Sequence, residues 1–116
     1  MSELRKYARI PEDSQIFYEI IPIPSGKARD GATKDISQGG IRFLTQEFIP
    51  KDSHLKIRLT LNKTLFSFEA LVKFVWIRQL RYSEIYEVGV EFIDIPPKAL
   101  EYLINYIKAC LDTKKK

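Results

Sequence analysis

Two short stretches of this chain carry side chains that a scaffold does not require. Arg5-Lys6-Tyr7-Ala8-Arg9 sets two arginines four apart in a segment without apolar periodicity. Asp35-Ile36-Ser37-Gln38-Gly39-Gly40 places a carboxylate, a hydroxyl and two glycines in one polar turn between apolar runs. A guanidinium is a planar fork that grips an anion through two parallel hydrogen bonds, or lies flat on a ring system. A carboxylate accepts paired N–H groups, a hydroxyl accepts or donates, and glycine lets a bulky ligand approach the backbone. Each stretch alone also has a plainer reading. The arginines can be a solvated tail, and Asp35 and Ser37 can bond their own backbone in an Asx-type turn.

The remaining polar residues point away from catalysis. The chain has one cysteine, Cys110, and one histidine, His54, so a Cys–His pair would need these two, and nothing in the spacing joins them. They are also too few for a zinc set. Cys110 sits beside a helical stripe and reads as buried. Glu69, Lys73, Glu87 and Glu91 read as cross-strand pairs, and Arg42, Arg58 and Arg78 as charges on wet strand faces. Without a nucleophile, base and orienter, no enzyme is expected. The net charge of +4 is too weak to imply nucleic acid by itself. Nucleic-acid barrels interleave exposed aromatics with basic residues; here the aromatics fall on apolar faces.

The elements that position the two stretches are mostly strands. Residues 1–14 are polar and read as a tail and a turn. Gln15 to Ile23 is rich in Ile, Phe and Tyr and is predicted as a strand, followed by a turn at Pro24-Ser25-Gly26-Lys27. Gly31–Ile36 and Ile41–Leu44 are short strands flanking the Ser37–Gly40 turn. Leu55 to Leu61 alternates apolar and polar, and Asn62-Lys63 is a hairpin candidate. Phe66, Phe68, Ala70, Val72, Phe74 and Trp76 share one face of a longer strand, which places Trp76 in the core or at its rim. Tyr86, Val88, Val90 and Phe92 alternate in another. At Pro96-Pro97 the period changes. Leu100, Leu103, Ile104, Ile107 and Leu111 form one helical stripe, Pro97 suits a first turn, and Lys114-Lys115-Lys116 suits the negative end. About six strands with one wet face close economically as a small antiparallel barrel, with the helix on its end or side.

At 116 residues the chain is read as one domain. The expected division is an N-terminal segment over 1–14, a barrel over 15–95 and a C-terminal helix over 96–116. A hydrophobic share of 45% and a charged share of 29% suit a soluble globular core. No apolar run approaches the ~20 residues that span a bilayer, and Met1 to Lys6 lacks the apolar stretch of a secretory signal. The expected compartment is the cytoplasm.

Together the two stretches resemble the paired signature of the PilZ family, bacterial receptors for cyclic di-GMP: RxxxR near the N-terminus, then [DN]xSxxG about two dozen residues later. Arg5 and Arg9 match the first motif; Asp35, Ser37 and Gly40 match the second. Gly40-Ile41-Arg42-Phe43, Val72 to Ile77 and Val88-Gly89-Val90-Glu91-Phe92 resemble the family's later strands, and a C-terminal helix follows. For this composition, chance gives about 0.4 occurrences of RxxxR per chain but only about 0.015 of DxSxxG. The second motif, and the order of the whole set, therefore carry the resemblance.

The resemblance implies a six-stranded PilZ-like β-barrel with a C-terminal helix and a binding role for cyclic di-GMP, with no metal or other cofactor. Arg5 and Arg9 would grip guanine O6 and N7 or a phosphate, or stack on a base. Asp35 would accept from guanine N1–H and N2–H₂, and Ser37 would bond the neighbouring base or phosphate. Gly39 and Gly40 would clear the approach, Gly40 through a left-handed backbone. Leu4, Gly39 and Trp76 are secondary positions. In the family, the residue before RxxxR, here Leu4, influences whether one ligand or a stacked pair binds. The N-terminal segment would be mobile and close over the ligand, changing the surface offered to a downstream protein of motility, pilus or exopolysaccharide machinery. The alternative is a protein-interaction adaptor of the same fold that needs no ligand.

Overall fold

The computed structural model describes residues 7–21, 29–62, 64 and 66–114. Seven strands precede one helix: β1 (Ile10–Pro11), β2 (Gln15–Ile21), β3 (Arg29–Ile36), β4 (Gly40–Thr45), β5 (His54–Thr60), β6 (Ser67–Gln79), β7 (Tyr86–Asp94) and α1 (Pro97–Lys114). All strand pairings are antiparallel. Six strands run β3-β2-β5-β6-β7-β4, and pairing of β3 with β4 closes them into the expected barrel. The seventh, β1, is an addition to that barrel.

Alternation builds the barrel wall. Along β5, Leu55, Ile57 and Leu59 are buried while His54, Lys56 and Arg58 are exposed. Period-two side-chain placement sends each set to its own face. Tyr18 on β2 and Phe43 on β4 meet inside, with ring centroids 5.3 Å apart. The Tyr18 hydroxyl is shared with Thr45 Oγ1 at 2.7 Å, so this buried phenol is satisfied. The β5–β6 hairpin closes through Leu61 N–H to the Phe66 carbonyl at 2.8 Å.

The segment before β2 is built in from Ile10 onward, which corrects the reading of a tail there. β1 pairs with β3 in register Ile10↔Ile36 and Pro11↔Asp35, so β1 and β2 occupy one edge of β3 in succession. Ile10 enters the core, and Glu12 is also buried. The Glu12 carboxylate accepts from Tyr106 Oη at 2.8 Å, from Asn62 N–H at 2.8 Å and from the Ser14 hydroxyl. A two-residue strand has no sequence period, and an isolated Glu reads as exposed; both signals were therefore absent from the sequence.

α1 begins at Pro97 as expected and packs Ala99, Leu103, Tyr106 and Ile107 into the barrel core. The stripe is rotated from the predicted one: Leu100 and Ile104 are only half-buried. Tyr106 bonding Glu12 and Tyr102 stacking on Phe66 at 4.0 Å turn the helix toward its aromatic side. Leu4, Arg5, the Pro24–Lys27 turn, Lys63 and the last two lysines lie outside the described residues.

Two of the three register shifts turn candidate site residues outward. In β3 the register shifts between Thr33 and Asp35, so Lys34 and Asp35 both oppose Arg42. An extra residue breaks the alternation; Asp35 therefore lies outside the barrel while Ile36 returns to the core. In β6 the register shifts between Phe74 and Trp76. Val75 is the extra residue, and Trp76 leaves the apolar face it was predicted to share with Phe68, Ala70 and Val72.

Candidate functional site

The β6 bulge, through Val75 and Trp76, opens onto an outer-face cleft of about 560 Å³, within the roughly 300–1,000 Å³ typical of ligand pockets. The Ser37–Gly40 turn, Tyr7, Arg9, Arg42, Trp76 and Leu100 of α1 are among its lining residues.

The turn is shaped by its own side chains. Ser37 Oγ accepts from Gly39 N–H at 3.1 Å and Gly40 N–H at 3.2 Å, while Ser37 N–H donates to the Gly40 carbonyl at 2.9 Å. The self-bonded turn is thus realised at Ser37, and its two glycines keep side chains off that part of the cleft wall. Gly40 is required by close approach rather than by a left-handed backbone. A Cβ there would lie 2.1 Å from the Val90 carbonyl oxygen. A Cβ on Gly39 would meet the Tyr7 ring at 2.8 Å, so Tyr7 lies on this turn. Gly89 likewise makes room for Trp76, whose Nε1 and Cε2 lie 2.5 Å from its notional Cβ.

Behind the cleft wall runs a chain of charges. Arg9 Nη1 donates to Asp35 Oδ1 at 3.1 Å. Arg42 takes the same carboxylate through Nε, at 3.0 Å to Oδ1 and 2.8 Å to Oδ2, and through Nη2. Arg42 Nη1 then reaches Glu87 Oε2 at 3.5 Å. Glu87 is wholly buried on the outer wall beneath Arg78, which donates twice to Oε1 at 3.0 and 2.8 Å, and Lys34, at 3.3 Å from Oε2. Burial pushes the Asp35 carboxyl up, but the bonds from Arg42 and Arg9 outweigh it and hold it below the usual carboxylate range. Glu87 follows the same balance, with Arg78 and Lys34 outweighing its burial. Four cations share two carboxylates, so the wall carries a positive surplus.

The structure brings Arg9, Asp35, Ser37, Gly39, Gly40 and Trp76 together; Arg5 and Leu4 lie outside the described residues. Asp35 stands behind Arg9 and Arg42 rather than lining the cleft. Strand alternation places Arg42 on a wet face and Glu87 in an ordinary cross-strand pair, whereas both belong to this charge chain. Glu87 does pair across the strands with Arg78, opposite it in register, yet it is fully buried. Lys73–Glu91, at 3.3 Å, is an exposed cross-strand pair as expected. Arg42 had a usable signal: a tight turn over Ser37–Gly40 sets Asp35 opposite Arg42, and opposite charges in that position attract. Among the described residues, no cluster of His, Cys, Asp and Glu could hold a metal, and no helix is long and apolar enough to cross a membrane.

The PilZ domain family profile matches residues 3–109. Among curated proteins, none matches the sequence. Among solved structures, the chain is similar to the Bacillus subtilis inhibitor of motility MotI/DgrA, with a TM-score of 0.83 and 17% identity, covering 97% of this chain and 53% of that one. It is similar to the PilZ domain of YcgR from Escherichia coli, solved with c-di-GMP, with a TM-score of 0.73 and 14% identity, covering 96% and 94%. It is also similar to the K. pneumonia MrkH–c-di-GMP complex, with a TM-score of 0.71 and 20% identity, covering 97% and 53%. The chain thus spans about half the length of the MotI and MrkH chains. At these identities the likeness is one of fold. A profile match over nearly the whole chain, on a closed six-stranded barrel with a C-terminal helix, makes this chain a member of the PilZ domain family.

Proposed function

We propose that this chain is a receptor for cyclic di-GMP that binds in the outer-face cleft between Arg9, the Ser37–Gly40 turn and Arg42. The observation that carries this reading is the Arg9–Asp35 pair at the cleft wall, which joins the two sequence motifs across 3.1 Å. Support also comes from family membership and from fold relatives solved with this ligand.

The chemistry fits an exchange. Arg9 spends one nitrogen on Asp35 and keeps part of its guanidinium exposed. On binding, it moves to a ligand phosphate or to guanine O6 and N7. Asp35 Oδ1 then accepts a guanine N1–H or N2–H₂ in place of Arg9, while Arg42 continues to hold both carboxylate oxygens. Ser37 holds the glycine turn in shape beside the ligand, and Arg5 adds a second fork. Binding alters the segment around Tyr7 and Arg9, and that changed surface is what a downstream protein reads. The proposed setting is the bacterial cytoplasm, and the role is binding rather than catalysis.

One observation favours a second reading, the ligand-independent adaptor: Asp35 and Ser37 already have partners without any ligand. Calorimetric titration separates the two. The receptor reading expects saturable heat with cyclic di-GMP and at least a tenfold loss in Arg9→Ala, since a charge-assisted bond contributes about 1.5–3 kcal/mol. A wild-type protein that gives no heat, yet retains a protein partner without nucleotide, supports the adaptor.

A further inference from the structure

We infer that Arg42 is a stacking platform for a purine base, and that Glu87 is the positioning residue that sets its plane. This rests on the receptor reading and deepens it by assigning one wall of the cleft to a base rather than to a phosphate.

Arg42 has all three guanidinium nitrogens turned toward acids. Nε and Nη2 face Asp35, and Nη1 faces Glu87. Each nitrogen is therefore directed at a carboxylate, and the guanidinium is held on two sides by acids that lie on different strands. Such a group is poorly placed to take a phosphate, because a phosphodiester brought to it would also face Asp35 and Glu87. Arg42 nonetheless lines the cleft and keeps a side-chain exposure of 29%. What it offers there is its flat face. A planar guanidinium stacks on aromatic rings and purines, and two fixed carboxylates keep that plane from turning.

Glu87 is part of this device because it has no exposure of its own. Its carboxylate is 1% exposed, and Arg78 and Lys34 cover it. It cannot meet the ligand, and its only route to the cleft is Nη1 of Arg42. Arg9, with one nitrogen on Asp35 and none on Glu87, is the arginine left for the anion.

The test is calorimetry with cyclic di-GMP on wild type, Arg42→Lys and Glu87→Gln, with thermal unfolding recorded for each. Lysine keeps the charge and loses the plane. Stacking therefore expects Arg42→Lys to weaken binding by about tenfold, equally at low and high salt because the charge remains. Glu87→Gln frees one side of the guanidinium and is expected to weaken binding several-fold. A phosphate-binding Arg42 is separated by the Glu87 variant, since lysine loses the bidentate fork as well as the plane, whereas loss of the Glu87 charge beside a phosphate tightens binding. Arg42→Lys binding within twofold of wild type, or Glu87→Gln binding more tightly, would overturn the inference. Should Arg42→Lys fail to fold, the sign of the Glu87→Gln effect decides. Absence of heat in the wild type overturns the receptor reading itself.

Discussion

Arg9 and Asp35 are 26 positions apart in sequence, and their side chains meet at 3.1 Å on the wall of the cleft. The two motifs are therefore one structure before any ligand arrives. Asp35 serves two arginines at once, both lining the cleft and equally exposed: Arg9 is held by one nitrogen, while Arg42 is clamped through Nε and Nη2 and reaches Glu87 with Nη1. That asymmetry separates the roles of the residues it touches.

Asp35→Ala and Arg9→Ala are expected to act alike on binding and differently on stability. Both should cut affinity for cyclic di-GMP at least tenfold. Arg9 is a partly exposed ion-pair partner, and its removal should change stability by no more than about 1 kcal/mol. Asp35 is buried and anchors Arg42, so its loss should cost about 1–3 kcal/mol. Thermal unfolding of the two variants beside wild type measures the difference.

Gly40→Ala should destabilise the barrel without adding a polar change. The new Cβ would sit 2.1 Å from the Val90 carbonyl and 3.1 Å from Glu91 Cα, both backbone atoms. Relief requires β4 and β7 to separate at the register pair Gly40↔Glu91. A loss of about 1–3 kcal/mol is expected, as for overpacking elsewhere, read as a lowered denaturant midpoint at unchanged slope.

Tyr106→Phe should loosen the helix from the segment that carries Arg9. The phenol donates to buried Glu12, which also holds Asn62 and Ser14. Removing that donor leaves a buried carboxylate one bond short, a cost of about 1–3 kcal/mol. Hydrogen exchange should quicken in α1 before it does in β5.

The pH dependence follows from the two depressed carboxyls. Asp35 faces Arg9 and Arg42, and Glu87 faces Lys34, Arg42 and Arg78. Their folded-state pKa values lie below the unfolded ones. The unfolded chain therefore binds more protons in that window, and stability rises with pH across it. The contribution is fully present above the ordinary carboxylate range, near pH 4 to 5, and is lost as pH falls through the depressed values. Melting temperatures recorded from neutral to acid pH should drop steeply at the acid end in wild type, and less steeply in Asp35→Asn and Glu87→Gln.

Much of the barrel was legible because alternation is local. Leu55, Ile57 and Leu59 announce their inner face without knowledge of their partners. The DxSxxG turn was legible because its residue types are rare in that order. Asp35 and Trp76 were harder. Each is turned outward by one extra residue, Lys34 or Val75, and a bulge arises from the fit between two strands rather than from either sequence. Glu12 and Glu87 were illegible for a related reason: an acid is buried only when donors from distant segments converge on it. Here Tyr106 lies 94 positions from Glu12, and Lys34 lies 53 from Glu87.

The most direct measurement is a titration of the isotope-labelled protein with cyclic di-GMP, followed by amide and indole proton–nitrogen spectra. The expected result is saturable shifts that share one binding curve at the Gly39 and Gly40 amides and at the indole of Trp76, the sole tryptophan, with the Lys56 and Glu69 amides on the far wall unmoved. Spectra unchanged at saturating nucleotide, or shifts confined to that far wall, would contradict a ligand site between Arg9 and the glycine turn.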